Sequence, residues 1–401
     1  MARSIHKPSF RLIVAGLALL VAAVVSIRVV TVGAGAQQRL SSQRSRSGAV
    51  AKPTLSTGAR APGPSGSVGP SASSPNVYAA IGPGNFNPAV AGVRTLVYVP
   101  NGIAGTVEVI DPRTYKIIRR FSVGSFPEHV TPSWDLKQLY VDASASSRLV
   151  VIDPRTARVI RTIHRIEHPY NLYFTPDGSM AIVVAEYYNR LDFYDPHTWS
   201  LIRSVPMPCN GPDHADFSAD GSSFLISCEF DGRVLKVDAR QMKVTDTIHV
   251  GGLPVDIKLS PDGSVFYVAN QGTNGVSVID ARTDRIVKFF ATGWGAHGFA
   301  VSRDGTKLYL SNRLAGTISV ISFATRRVVA TWHVGGTPDM LQVSADGSRL
   351  WVSNRYSGTV TVVKTGSGKV VAVIPVGTDP HGLTLFPQPG RYCIGHNGVY
   401  R

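Results

Sequence analysis

The sequence has 401 residues, of which 43% are hydrophobic, and a formal net charge of +15 at pH 7. Residues 1–75 hold nine of the 41 Lys and Arg residues and none of the 26 acidic residues. Most of the excess positive charge is therefore N-terminal, which argues against nucleic-acid binding by the rest of the chain. The apolar content is enough for one continuous core.

The N-terminus predicts export. Three basic residues precede an uncharged apolar run from Leu12 to Ile27, which predicts an apolar helix. Residues 1–36 fit a signal-anchor transmembrane segment, with Arg28 reaching the membrane interface. They also fit a signal peptide cleaved after Ala36. In both cases we expect an extracytoplasmic protein, either membrane-anchored or secreted after cleavage.

The next segment favours the anchor. Residues 37–75 are rich in Ser, Gly, Pro and Arg, which is typical of a flexible linker. Such a linker is most useful when its other end is held at a membrane. Residues 76–95 follow as a lead-in segment to which the sequence assigns no clear structure, beyond a possible cover over one face of the fold.

A unit of about 42 residues recurs seven times in the remaining chain. Its first landmark is an Asp, mostly in Asp-Gly, at Asp135, Asp177, Asp220, Asp262, Asp304 and Asp346, with Gln388 in the seventh unit. A column of mostly Pro keeps the same spacing, at Pro127, Pro169, Pro212, Pro254, Ala296, Pro338 and Pro380. A period of 40 to 45 residues with short β-like runs is typical of β-propeller blades.

One unit shows how a blade forms. Strands are predicted at 256–260, 266–269, 275–279 and 286–290, and Asp262-Gly263 makes the first turn. Seven such units predict an all-β, seven-bladed propeller of four-stranded blades over residues 96–391.

The two ends of this region predict how the ring closes. The propeller region begins at 96–99 with a strand that corresponds to the second strand of a unit. It ends at 382–386 with a strand that corresponds to the first strand of a unit. The last strand therefore completes the first blade, which removes the open sheet edge. We expect a monomer, and residues 392–401 remain a C-terminal tail without an assigned role.

Four tetrapeptides carry a family resemblance: Tyr98-Val-Pro-Asn, Tyr267-Val-Ala-Asn, Tyr309-Leu-Ser-Asn and Trp351-Val-Ser-Asn. The chain resembles the YVTN-type β-propeller repeat proteins, which are similar to surface-layer and periplasmic propellers, haem d1-binding propellers and seven-bladed lactonases. Units two to four depart from the pattern, with Ala143, Ala185 and Cys228 in the Asn column. The resemblance implies the fold and leaves the activity open.

The three cysteines suit an oxidising compartment. Cys209 and Cys228 lie near each other in the repeat scheme, which favours a disulfide between them. A pair of free thiols or a metal site is the alternative. Cys393 lies in the tail.

Residues that differ from blade to blade at one end of the channel are the candidates for ligand binding. The loops that enter first strands and follow second strands open on this face. The candidate ligand-binding residues are His129, Asn171, Asp256, His297, Asp339, His381, Arg313 and Arg355. Among them, two arginines and two histidines could hold a carboxylate or phosphate.

Adjacent blades also offer a candidate metal site. Glu186, His214 and Glu229 could bind a divalent cation, with Asp213 beside His214. The alternative is that these are ordinary solvated loop residues. No other cofactor is indicated by a specific motif.

Catalytic signatures are otherwise missing from the sequence. It contains no HExxH, GxSxG, P-loop or CxxCH motif. We therefore favour a binding module for a small polar ligand or a cell-envelope protein. A metal-dependent hydrolase resembling the lactonases and a propeller carrying a non-covalent haem or redox cofactor remain the alternatives.

Overall fold

The computed structural model describes residues 76–401. The predicted apolar helix within residues 1–36 and the predicted linker at 37–75 lie outside the described residues. Within residues 76–401, no helix has the length and apolar character needed to cross a membrane.

The described residues form a seven-bladed β-propeller, as predicted, with seven antiparallel four-stranded sheets. In chain order the strands are β1 (Leu96–Asn101), β2 (Thr106–Asp111), β3 (Lys116–Ser122), β4 (Pro127–Pro132), β5 (Leu139–Ala143), β6 (Arg148–Asp153), β7 (Arg158–His164), β8 (Asn171–Phe174), β9 (Ala181–Ala185), β10 (Arg190–Tyr194), β11 (Leu201–Pro206), β12 (Pro212–Phe217), β13 (Ser223–Cys228), β14 (Arg233–Asp238), β15 (Lys243–His249), β16 (Pro254–Leu259), β17 (Val265–Asn270), β18 (Gly275–Asp280), β19 (Ile286–Ala291), β20 (Ala296–Val301), β21 (Lys307–Asn312), β22 (Thr317–Ser322), β23 (Arg327–His333), β24 (Pro338–Val343), β25 (Arg349–Asn354), β26 (Thr359–Lys364), β27 (Val370–Pro375) and β28 (Thr384–Phe386). Short 3-10 helices lie at Ala79–Ile81, Pro88–Val90, Ser144–Ser146, Glu186–Tyr188 and Arg355–Ser357.

The ring closes as the sequence predicts. Blade one contains β28 and β1–β3, with β28 innermost, and blades two to seven are β4–β7, β8–β11, β12–β15, β16–β19, β20–β23 and β24–β27. Leu385 of β28 pairs with Val97 of β1 in antiparallel register. These hydrogen bonds join the two ends of the propeller and cover the inner edge of β1.

The recurring Asp-Gly landmarks form the turns between the first two strands of blades three to seven. In blade five, Asp262 accepts hydrogen bonds from the hydroxyl of Ser260 and the backbone N–H of Ser264, at 2.6 and 3.1 Å. Gly263 has a φ of +68°, which a side chain would disfavour. The conserved spacing of these residues therefore serves the fold.

The core lies between neighbouring blades. Between blades six and seven, for example, Tyr309 and Ile318 pack with Leu341 and Leu350, and all four are buried. The outermost strands alternate between exposed and half-buried residues, as in β3. Burial thus falls from the inner strands to the rim, as expected for blades that pack face to face.

The two ends of the channel differ. We call the end with the loops that enter inner strands the mouth end, and the end with the Asp-Gly turns the turn end. The lead-in segment covers the turn end, where the backbone N–H of Val77 bonds Pro261 and the Tyr78 hydroxyl bonds the carbonyl of Leu259, at 2.9 and 3.0 Å.

The C-terminal tail, residues 392–401, fills the channel from the turn end. It forms a small hairpin in which Cys393 pairs with Tyr400. The His396 N–H bonds the carbonyl of Leu172 on inner strand β8 at 2.8 Å. The side-chain amide of Gln342 on β24 donates to the carbonyl of Asn397 at 2.9 Å. The tail, for which the sequence predicts no role, therefore forms the floor of the mouth.

Candidate functional site

A bulge in five of the seven inner strands directs polar residues into the channel. In blade four the register shifts between Pro212 and Ala215, so that Asp213 and His214 have no opposite partner on β13. The same shift occurs in β4, β16, β20 and β24. Because bulges re-aim side chains, the two residues after the Pro column converge on the channel.

One half of the mouth, which we call the arginine half, is built on Arg313 and Arg355. Arg313 forms an ion pair with Asp339, and its Nη2 also contacts His297. Arg355 donates to Asp379 at 2.9 Å, and its Nη2 lies 3.5 Å from Glu128. Both guanidinium groups are therefore already paired with carboxylates of the protein.

The two histidines of this half are also paired. Nδ1 of His381 lies 3.0 Å from Glu128, and Nδ1 of His297 lies 3.0 Å from Asp339. Burial acts to raise the pKa of Asp339, but Arg313 and His297 outweigh it and hold that pKa well below its ordinary value. The arginine half is thus a closed network of charged partners.

The opposite side, the acidic half, consists of Glu186, Glu229 and Asp213. The amide of Gln271 donates to Glu229 at 2.5 Å. The side chain of Asp213 is fully buried, and its Oδ1 lies 2.6 Å from Nδ1 of His214. Burial raises the pKa of all three, and repulsion by neighbouring carboxylates adds to the rise for Glu186 and Glu229.

Below the mouth lie three buried histidines, His129, His214 and His396, which we call the histidine cluster. One ring nitrogen from each lies within 4.8 Å of the other two. The ring centroids are 4.4 Å apart for His214 and His396 and 4.8 Å apart for His129 and His396. Burial lowers the pKa of each imidazole, so the rings are neutral at pH 7.

The predicted metal ligands do not all converge. In the part of the chain that the structure describes, the histidine cluster is the group of three whose ligand atoms come together. It shares His214 with the predicted set, but Glu186 and Glu229 lie in mouth loops and do not join it. Imidazoles from the inner strands and the tail take their place because the bulges and the tail reach the channel axis.

The side chains of two other predicted mouth residues form hydrogen bonds with backbone groups of the propeller. The carboxylate of Asp256 accepts the backbone N–H of Ile257 at 2.8 Å and that of Phe299 in the next blade at 2.7 Å. It thereby links two blades. The amide of Asn171 donates to the carbonyl of Asp213 at 3.4 Å and also joins neighbouring blades.

Large exposed side chains surround the mouth. Tyr187, Phe230 and Tyr356 directly follow mouth residues of their blades and are 72%, 61% and 67% exposed. Phe230 lies over Gly211, where a Cβ atom would come within 2.4 Å of its ring. Arg313 stacks on Tyr356, with its guanidinium carbon 5.6 Å from the ring centroid.

A disulfide joins Cys209 and Cys228 near this rim. In blade five the equivalent position is Asn270, whose side chain bonds Leu253 and Gly251 in the loop before the inner strand. The disulfide thus takes the place of an Asn that ties the same loop to the second strand. Cys393 is buried in the tail and unpaired.

Sequence reasoning missed His396, Asp379 and the pairing role of Glu128. His396 lies outside the repeats, so an alignment of the units could not reveal it. Asp379 directly precedes the Pro column, whereas the candidate residues were taken from positions after that column. The available signal for the tail was its two glycines, Gly395 and Gly398, which adopt positive φ angles.

These features define a seven-bladed propeller with a polar site at one end of a plugged channel. The family model of YNCE-like β-propellers matches residues 71–389, and the chain belongs to this family. A comparison with curated proteins finds no match.

Solved structures share the fold at low identity. A functionally unknown protein from Desulfotomaculum acetoxidans DSM 771 is 19% identical with a TM-score of 0.64, over 72% of this chain and 98% of that one. The dihydro-haem d1 dehydrogenase NirN, in complex with DHE, is 16% identical with a TM-score of 0.57, over 75% and 76%. A protein from Bacteroides uniformis ATCC 8492, provisionally described as a 6-phosphogluconolactonase, is 15% identical with a TM-score of 0.61, over 73% and 99%.

These neighbours are similar to the propeller and differ in function. The predicted likeness to haem d1-type and lactonase-type propellers is therefore confirmed for the fold. At this identity it says nothing about the chemistry of this mouth.

Proposed function

We propose that this protein is an exported, membrane-tethered binding module that holds a small, positively charged polar ligand in the acidic half of its channel mouth. The observation that carries the proposal is the imbalance of charge in that half. The half-buried Glu186 and Glu229 lie near the buried Asp213, and Gln271 supplies a neutral amide. A bound cation would relieve both their burial and their mutual repulsion.

The ion pairs of the arginine half support a positively charged ligand over an anion. An anion there would have to displace Asp339 from Arg313 and Asp379 from Arg355. Breaking such buried pairs is costly, because it leaves carboxylates uncompensated. Within residues 76–401, no Lys or Arg forms an ion pair with Glu186, Glu229 or Asp213, because the mouth arginines pair with Asp339, Asp379 and Glu128.

The exposed aromatic residues around the mouth favour an organic cation over a metal ion. Tyr187 and Phe230 each directly follow one of the mouth glutamates and present exposed aromatic side chains. Ammonium groups are attracted to aromatic faces and to carboxylates together. The ligand class that fits is therefore an amine or quaternary ammonium compound, or a cationic side chain of a cell-envelope partner.

The test is calorimetric titration of the full chain in detergent with spermidine, with choline and, as the opposite charge, with citrate. We expect heat from at least one cation and none from citrate. The Glu186→Gln/Glu229→Gln variant should abolish binding, whereas the control variant Asp246→Asn, changed at an exposed position on β15, should retain it. Binding of citrate alone, or equal cation binding by the double variant, would reject the proposal.

Export and tethering need a separate test. The apolar run at 12–27 and the linker at 37–75 support an anchor. We expect the full chain in the membrane fraction after alkaline extraction, with the propeller accessible to protease from outside the cytoplasm. Recovery in the cytoplasmic fraction would contradict export, and release into the medium would contradict the tether.

A further inference from the structure

We propose that His129, His214 and His396 form a binding site for one divalent late first-row transition-metal ion, which fastens the C-terminal tail inside the propeller channel. The site goes beyond the ligand-binding role of the mouth and uses none of the mouth glutamates. Two of its ligands come from inner strands of blades two and four, and the third comes from the tail.

The first support is the number of unpaired nitrogens. Both ring nitrogens of His129, Nε2 of His214 and Nε2 of His396 are buried without a hydrogen-bond partner. All three residues are at most 1% exposed. Buried polar atoms in proteins are nearly always hydrogen-bonded or bound to an ion, so this concentration of unpaired ring nitrogens requires an explanation.

The neighbouring histidines provide an internal comparison. The rings of His381 and His129 are only 4.6 Å apart, yet His381 is paired through Nδ1 with Glu128. His297 is likewise paired with Asp339. Of the three converging histidines, His129 and His396 have no acidic partner within residues 76–401, and His214 has Asp213 beside it.

The local backbone is shaped to bring the rings together. Gly382 makes room for His129, since a Cβ atom there would lie 1.9 Å from its Nδ1. Gly395 has a φ of +121° and passes so close to inner strand β8 that a Cβ atom would lie 2.4 Å from the carbonyl oxygen of Leu172. His396 itself has a φ of +55°, which is unusual for a side chain of this size.

The ligand set selects the class of metal. Three imidazole nitrogens suit Zn²⁺, Cu²⁺, Ni²⁺ or Co²⁺, whereas Mg²⁺ and Ca²⁺ prefer oxygen. A tetrahedral ion at about 2.0 Å from each nitrogen requires nitrogens about 3.4 Å apart. The ligand nitrogens lie within 4.8 Å of one another, so metal binding requires them to move closer together.

One of the proposed metal ligands, His214, has a carboxylate next to the far side of its ring. Oδ1 of Asp213 lies 2.6 Å from Nδ1 of His214. Such carboxylates orient a ligating imidazole and fix which nitrogen faces the metal. Asp213 would then hold His214 with Nε2 toward the ion. Since the cluster is enclosed by the inner strands and the tail, we assign the ion a structural role instead of a hydrolytic one.

The experiment is metal analysis of the full chain after incubation with Zn²⁺ and removal of free metal. We expect one Zn²⁺ per chain, a higher melting temperature with Zn²⁺ than with a chelator, and no such rise with Mg²⁺. His396→Gln should weaken Zn²⁺ binding by more than about 100-fold, because loss of a ligand exceeds the effect of losing an outer carboxylate. The control His249→Gln, changed at an exposed histidine of β15, should keep the stoichiometry.

A second measurement covers the case in which His396→Gln fails to fold. Co²⁺ bound to the unmodified protein should give the intense visible absorption of a low-symmetry, nitrogen-bound ion, and Zn²⁺ should displace it. Sub-stoichiometric Zn²⁺ in the unmodified chain, or unchanged binding by a folded His396→Gln protein, would overturn the proposal. Glu186→Gln/Glu229→Gln should still bind Zn²⁺, which separates this site from the proposed mouth site.

Discussion

Arg401 and Asp216 form a buried ion pair that joins the last residue of the sequence to inner strand β12. Nη2 of Arg401 lies 2.6 Å from Oδ1 of Asp216, and the two residues are 6% and 1% exposed. The guanidinium also stacks on Tyr78 of the lead-in segment, 4.6 Å from the ring centroid. One side chain therefore connects the tail, the lead-in and a blade.

Loss of Arg401 should destabilise the whole propeller. Arg401→Ala leaves Asp216 as a buried charge without its partner, and breaking such a pair costs about 3 kcal/mol or more. Denaturant unfolding followed by tryptophan fluorescence measures the change. Arg158→Ala, at an exposed position on β7, is the matched control and should be neutral within about 0.5 kcal/mol. Equal stability of the two variants would show that the pair does not hold the tail.

The mouth glutamates predict a dependence of stability on pH. Burial raises the pKa of Glu229 to about 8 from an ordinary value of 4.5. The folded protein keeps this proton in a range where the unfolded chain has lost it, so stability falls as pH rises from about 4.5 to about 8. Glu229→Gln removes this effect. Its melting temperature relative to the unmodified protein should therefore be higher at pH 8 than at pH 5, and a difference independent of pH would contradict the assignment.

The fold was predictable from the sequence because each blade needs the same turns. Residues such as Asp262 and Gly263 are fixed by local backbone geometry, and repetition makes that local requirement visible. Ring closure by β28 was predictable because the propeller region begins with the second strand of a unit and ends with a first strand. The tail could not be predicted in this way, since the position of His396 depends on docking against Leu172 and Gln342 of distant blades.

The site was predictable only in part. Comparison of equivalent positions located the mouth, because residues in the same column lie at the same depth. It could not tell a ligand contact from an interblade bond, and Asp256 illustrates the difference. Its carboxylate is occupied by two backbone N–H groups, one from the next blade. That pairing is a property of packing and leaves no trace in the spacing.

The disulfide predicts a redox-dependent stability. Cys209 and Cys228 are 19 positions apart, and closing a loop of this size stabilises the fold by about 3 kcal/mol in the chain-entropy treatment. Cys209→Ser/Cys228→Ser should lose stability accordingly, and the reduced unmodified protein should resemble it. Cys209→Ser/Cys228→Asn should recover part of the loss, because Asn270 holds the equivalent loop by hydrogen bonds. Insensitivity to reductant would contradict this, and so would equal stability of the Ser and Asn variants.

Asp142 differs from the serines that occupy the equivalent position in three other blades, and this difference can be tested. Its position on β5 corresponds to Ser227, Ser311 and Ser353, whose hydroxyls each accept a backbone N–H from the adjacent inner strand. Asp142 is fully buried, neither of its oxygens has a partner, and burial together with nearby Glu128 raises its pKa well above the ordinary value. Its carboxyl therefore costs folding energy that a serine would not.

We expect Asp142→Ser to stabilise the propeller at pH 7 by about 1–3 kcal/mol, the penalty of an unsatisfied buried group. The gain should shrink toward pH 4, where the unfolded carboxyl also begins to be protonated. The reverse change, Ser311→Asp, serves as the control and should destabilise by a similar amount with the same pH dependence. If Asp142→Ser instead destabilises the protein, the carboxyl has a binding partner. Asp142 would then be part of the ligand-binding mouth and not an unfavourable residue of the blade.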